Sequence, residues 1–205
     1  MEFREFPKIA RLNREVIVTE KIDGTNAQVT IVPASEDQDP NPSQITTVIT
    51  AVNGQYVDTF HIYAGSRNRF ITPEADNFGF ARWVKENAVE LVKLGPGSHF
   101  GEWWGSGIQR GYGLPAGEKR FSLFNVSRWS DPATRPACCH VVPELARGVI
   151  GKDFELSTVL ERLRTLGSQA APFMNPEGIV IYHTAAQQLF KVTLEKDEEP
   201  KGFRK

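Results

Sequence analysis

Two β-branched runs, Val16 to Thr19 and Val29 to Val32, bracket the stretch Glu20-Lys21-Ile22-Asp23-Gly24-Thr25-Asn26. Such side chains favour extended backbone, so Lys21 falls where a strand ends or bends, ahead of an Asp-Gly step suited to a turn. A lysine amine in water is protonated at neutral pH and is no nucleophile. A catalytic Lys21 therefore requires neighbours that favour its neutral form, such as a metal ion or other cations. Taken alone, the stretch also reads as a surface hairpin.

Carried along the chain, the same reading predicts an α+β fold in one domain over residues 1–205. Residues 1–15 are an irregular lead-in around Pro7 with one helical turn. Ala27 to Val32 and Ile45 to Val52 are strands paired as a hairpin, with the acidic, proline-rich Ala34 to Gln44 as its tip. Asp76 to Leu94 carries Phe80, Ala81, Val84, Ala88, Leu91 and Val92 at helical spacing and stops at Gly95-Pro96, which predicts one core-packing helix. Arg128 to Pro143 reads as a loop, and Ser157 caps a helix running to Leu166 with Gly167 as its stop.

A net charge of −1 excludes a globally basic nucleic-acid protein, so contact with a phosphate backbone needs a local patch. Cys138 and Cys139 are adjacent and precede His140. That spacing suits neither a disulfide nor structural zinc, and predicts a reduced, buried pair. The first residues lack the apolar core of a signal peptide and no run reaches membrane-spanning length, so a cytoplasmic protein with no membrane partner is expected.

Further along, the polar groups fall in suggestive settings. Gly65-Ser66-Arg67-Asn68-Arg69 offers two arginines in a loop, suited to phosphate or ribose or else a solvated basic turn. Glu102 lies in His99-Phe100-Gly101-Glu102-Trp103-Trp104, where a carboxylate among aromatics needs a hydroxyl, a metal ion or an arginine to offset its burial. Trp103 and Trp104 read as packing groups. Phe121 to Val126 is a short strand, and Glu177-Gly178 opens another, followed by Leu189-Phe190-Lys191-Val192-Thr193.

Lys21-x-Asp23-Gly24 resembles motif I of the covalent nucleotidyltransferases, the superfamily of ATP-dependent DNA ligases, RNA ligases and mRNA capping enzymes. The longer form with Thr25 and Asn26 resembles the RNA ligase 2 family, as does Gly105-Ser106-Gly107-Ile108-Gln109. Arg67 matches motif Ia, Glu102 motif III, Phe124 motif IIIa, Glu177 motif IV and Lys191 motif V, in the family's order from Lys21 to Lys191. The order carries the resemblance more than any one motif. Two positions depart from the pattern: Asn125 stands where an aspartate is usual, and Thr193 where a second lysine is, leaving Lys196 or an arginine to compensate.

The resemblance implies an α+β nucleotidyltransferase fold, an ATP-grasp-like ligase adenylation domain with antiparallel sheets flanking a nucleotide cleft. Its cofactors would be ATP and Mg2+ (or Mn2+). Lys21, Asp23, Glu177 and Lys191 would be catalytic, with Glu177 at the metal and Asp23 orienting the lysine or a metal-bound water. Glu20, Lys21, Asn26, Arg67, Glu102, Phe124 and Lys191 would contact ATP, with Glu102 on the ribose, Phe124 on the adenine and Lys191 on the α-phosphate. Lys21 would take AMP as a lysyl phosphoramidate and pass it to a 5′-phosphate for joining to a 3′-hydroxyl, RNA being the favoured strand. No OB-fold or helical domain is expected after motif V, so sealing would need a particular substrate or a separate partner protein; Lys201, Arg204 and Lys205 could touch nucleic acid. The alternatives are a DNA ligase, a GTP-dependent capping-type enzyme and a non-catalytic nucleotide- or RNA-binding module.

Overall fold

The computed structural model describes residues 3–34, 41–52 and 55–195. The tip of the acidic loop, residues 35–40, and the basic residues Lys196, Lys201, Arg204 and Lys205 lie outside the described residues. In chain order the strands are β1 (Val16–Lys21), β2 (Thr25–Pro33), β3 (Gln44–Val52), β4 (Gln55–Gly65), β5 (Phe70–Ile71), β6 (Gly97–Gly105), β7 (Lys119–Leu123), β8 (Cys139–Val141), β9 (Glu144–Gly148), β10 (Gly178–His183) and β11 (Gln188–Thr193). The α-helices are α1 (Phe80–Glu86), α2 (Ala88–Leu91), α3 (Val126–Trp129) and α4 (Leu156–Leu166). The mixed α+β class with antiparallel sheets is as expected. None of the described helices is long and apolar enough to cross a membrane.

The chain divides into two compact units, the first comprising Met1–Ile22 and Pro143–Lys205, the second Asp23–Val142. The first boundary falls inside the lysine motif, between Ile22 and Asp23. In the first unit the sheet order is β11-β10-β1-β9, all antiparallel. Alternation sends Val16 and Val18 to the face that buries Ile179 and Ile181, where Val159 and Leu163 of α4 close the core. Each such buried aliphatic contributes about 1.5–3 kcal/mol relative to exposure. Gly167, at φ 78°, ends α4 in a conformation that costs glycine nothing. The expected Ser157 cap is absent: Glu155 holds the N-cap position, without a side-chain hydrogen bond.

The second unit is built on a sheet of order β3-β4-β2-β6-β7-β8, with β5 on β4. Its core joins Val29 and Ile31 of β2, Ile62 of β4 and Leu123 of β7 to Val84 and Leu91. Phe80, Trp83, Trp103 and Phe121 meet with ring centroids 5.2–5.7 Å apart. Trp103 and Trp104 are 2% and 1% exposed, packing groups as predicted. Cys138 and Cys139 are both free thiols, the second buried.

Several local expectations give way here. β2 and β3 do not form a hairpin, because β4 inserts between them and pairs with both. The polar residues Asp58, Thr59 and His61 obscure β4 in the sequence. The helix expected over Asp76 to Leu94 is broken. Phe78 (φ 54°) and Gly79 (φ 84°) are left-handed, so α1 starts only at Phe80, and it ends at Asn87 before α2. Asp76 accepts from the Asn77 and Ala81 backbone N–H groups, the second of which an intact helix from Asp76 would have used internally. The loop expected over Arg128 to Pro143 contains β8, which runs parallel to β7. The described part of the lead-in, residues 3–15, holds no helical turn.

Candidate active site

The first unit gathers three of the expected residues at one end of its sheet. Lys21 ends β1 opposite Gly178, and Gly178 is opposite Thr193. Two residues back, Thr19, Val180 and Lys191 form the next row on the same face. Lys21 Nζ donates to Glu177 Oε2 at 2.5 Å, with the two side chains 24% and 18% exposed. A catalytic Lys21 calls for a metal ion or other cations nearby, whereas this contact is with a carboxylate. Lys191 is exposed on the same face. Gly178 has to be glycine for a steric reason: a Cβ there would lie 2.1 Å from the Val192 carbonyl oxygen.

Glu20 takes the opposite course. Pleating turns it to the α4 side, where it is 1% exposed and accepts from the Gln169 N–H at 2.8 Å. Burial raises its pKa, and hydrogen bonds from Ser168, Gln169 and Ala170 offset only part of the rise. It is therefore not on the face that Lys21 and Lys191 share. A cavity of about 380 Å³ on the α4 side, lined by Leu145, Phe154, Val159, Arg162 and Gln169, holds none of the motif residues.

The second unit gathers Asp23, Gly24, Asn26 and Glu102. Asn26 and Glu102 are directly opposed across β2 and β6 and so share a face. Glu102 Oε1 accepts the Gly24 N–H at 3.1 Å. A Cβ on Gly24 would lie 2.5 Å from the Trp103 carbonyl oxygen, so the motif glycine is what lets the chain approach β6 closely enough for that bond. Asp23 is fixed twice: Arg110 Nε donates to its carboxylate at 3.1 Å, and its backbone N–H donates to the Tyr112 hydroxyl at 3.0 Å. Sequence reasoning missed Arg110 and Tyr112. Their signal lay in the glycine-dense run from Gly105 to Gly113, whose backbone is left-handed at Gln109 (φ 43°) and Tyr112 (φ 51°).

Phe124 follows β7, 40% exposed, and its N–H donates to the Phe100 carbonyl. A core phenylalanine would be buried, and this one presents its ring to solvent. Asn125, the departure from the family pattern, caps α3 by accepting the Arg128 N–H at 3.1 Å. Arg67 lies on the exposed β4–β5 connection, outside the cluster around Glu102.

Among the described residues no group of three or more His, Cys, Asp or Glu side chains could cage a metal ion. The donor set nevertheless fits a hard divalent cation such as magnesium, which uses one or two carboxylates together with water and substrate phosphates. Glu177 offers one such carboxylate.

The family profile named RNA ligase matches residues 14–193. No curated protein matches the sequence significantly. Among solved structures the chain is similar to Naegleria gruberi RNA ligase. One variant of that enzyme with ATP and Mn matches at TM-score 0.55 and 18% identity, covering 90% of this chain and 51% of that one. Another variant, with AMP and Mn, matches at TM-score 0.56 and 18% identity, covering 92% and 53%. The chain thus spans about half the length of these relatives, and the likeness establishes the nucleotidyltransferase fold.

Proposed function

Since the chain belongs to the RNA ligase family, we propose that it is an ATP-dependent RNA ligase working through a lysyl-AMP intermediate on Lys21. The observation that carries this reading is the pairing of Lys21 with Glu177 at the end of β1, with Lys191 on the same face. An amine, a carboxylate suited to a metal and a phosphate-binding cation converge on one sheet face. Spacing supports it too. Variants of the Naegleria enzyme have been made at a lysine and at an aspartate two residues on, the spacing of Lys21 and Asp23. Others lie at a glutamate and a lysine fourteen residues apart, the spacing of Glu177 and Lys191. The two lysine variants hold ATP and Mn and the glutamate variant AMP and Mn, while the aspartate variant is apo.

In this reading Phe124 packs on the adenine, Glu102 and Asn26 hold the ribose, and Lys191 neutralises phosphate charge. Glu177 would hold a divalent cation, which would supply charge neutralisation during the transfer. Lys21 becomes a nucleophile when its ion pair with Glu177 is released and the ammonium proton passes to solvent water. The Nζ–P bond then forms in line as the bond to pyrophosphate breaks. AMP next moves from Lys21 to a 5′-phosphate end. Attack by a 3′-hydroxyl joins the strands and expels AMP, a chemistry suited to repair of broken RNA in the cytoplasm. Asp23, clamped by Arg110 and Tyr112, orients the lysine turn rather than reacting. Glu20 acts from beneath, fixing the segment 168–170.

The test is incubation with α-labelled ATP and a divalent cation, reading label on denatured protein. Label is expected on the parent and absent from Lys21→Ala. Absence of label on the parent with either ATP or GTP would overturn the reading, and label from GTP alone would indicate capping chemistry. Nicked RNA and nicked DNA compared as acceptors separate the two kinds of ligase.

A further inference from the structure

The second unit's sheet has one face packed on α1; the other is covered at Tyr63, Trp104 and Ser122 but exposes aromatic rings along one row. Register on this second face aligns five positions in a single row: Phe70 opposite Gly65, Gly65 opposite Gln28, Gln28 opposite Phe100, with Phe124 bonded to the Phe100 carbonyl at the far side. Directly opposed residues of antiparallel strands project to the same face. Their sequence neighbours Ile71, Ala64, Ala27, Val29 and Leu123 are in the core, which fixes the row on the second face. Phe70, Phe100 and Phe124 are 43%, 51% and 40% exposed. A core or a folded-over loop would have covered them.

We propose that this row is a stacking surface for unpaired bases of an RNA strand, extending beyond the nucleotide held at Phe124; the inference rests on the ligase reading above. Three features favour bases over an apolar protein partner. First, the row's apolar groups are all aromatic, and every base has a face that stacks on an aromatic ring. Secondly, the ground between the rings is polar: Gln28 Nε2 donates to Thr30 Oγ1 at 2.6 Å and to Ser98 Oγ at 3.0 Å, which fixes the amide on this face. Thirdly, exposed Arg67 and Arg69 lead into Phe70 and offer cations to a phosphate backbone at that end of the row, Glu102 standing one row away beyond Phe100. Three interstrand steps separate Phe70 from Phe100, about 14 Å, room for more than one base. Tyr63 supports the outer end, its ring 5.4 Å from that of Phe70.

The test measures fluorescence anisotropy of a labelled RNA as an unpaired strand and as a duplex, with the parent, Phe70→Leu, Phe100→Leu and Phe100→Tyr. ATP-dependent self-labelling is measured on each protein in parallel. Leucine keeps apolar bulk and removes the stacking face, so each leucine variant should bind the unpaired strand about fivefold or more weakly. Phe100→Tyr should bind like the parent, and duplex binding should change little. The proposal is overturned if both leucine variants stay within about twofold of the parent, if duplex binding falls equally, or if the parent binds no unpaired strand. Loss of self-labelling by the parent would instead count against the ligase reading, since strand binding is read separately.

Discussion

Gly178→Ala probes the strand junction on which the lysine depends. The new Cβ would lie 2.1 Å from the Val192 carbonyl oxygen and 2.8 Å from Thr193 Cα. Both obstacles are backbone of β11, and that strand is in register with β10 from Gly178↔Thr193 to His183↔Gln188. A normal contact requires a displacement of more than about 1 Å, which a side-chain rotation cannot supply, so the ladder itself must open. Overpacking costs about 1–3 kcal/mol, and a clash against hydrogen-bonded backbone belongs at about the upper value. For a chain of this size that is a fall in Tm of about 6–12 °C. Thermal unfolding followed by circular dichroism reads it directly. Self-labelling should fall as well, because Gly178 is the cross-strand partner of Lys21. A Tm within about 2 °C of the parent would refute the steric argument.

The other predictions concern single contacts. Burial holds the Glu20 carboxyl above its usual value of 4.5, so the unfolded chain ionises first and stability falls as pH rises from about 4.5 through the folded value. Glu20→Gln should therefore gain on the parent over that interval, with no relative gain below it, as read from urea midpoints across the pH range. Asn125→Ala removes the α3 cap and should cost about 1 kcal/mol in urea unfolding, whereas Asn125→Asp, which keeps an acceptor, should cost less. Phe124→Leu should raise the ATP concentration for half-maximal self-labelling about fivefold while leaving stability within about 0.5 kcal/mol, because the ring is 40% exposed.

Local chemistry was enough to locate the lysine turn and most of the strands. Val16 to Thr19 and Val29 to Val32 could only be extended, and the Asp23-Gly24 step between them marks where the chain turns. Ile179 and Ile181 alternate into the core as a half-buried strand must. The ordered motifs from Lys21 to Lys191 were legible through their resemblance to the family, whose profile matches residues 14–193.

Pairing was not legible, since hydrogen-bond partners distant in sequence leave no trace in either segment. Nothing in β2 or β3 announces that β4 separates them, and only the folded sheet sets Lys21 beside Gly178 or Asn26 beside Glu102. The left-handed backbone at Phe78 and Gly79 delayed the helix to Phe80, while Asp76 accepted the Asn77 and Ala81 backbone N–H groups. The sequence by itself determined which residues are able to react and which faces are apolar. The tertiary structure alone decided that Glu177 meets Lys21, that Arg110 clamps Asp23, and that Phe70, Phe100 and Phe124 form one row. The physical reason is register: shifting a strand by one residue turns every side chain to the other face, and register is set by the whole sheet.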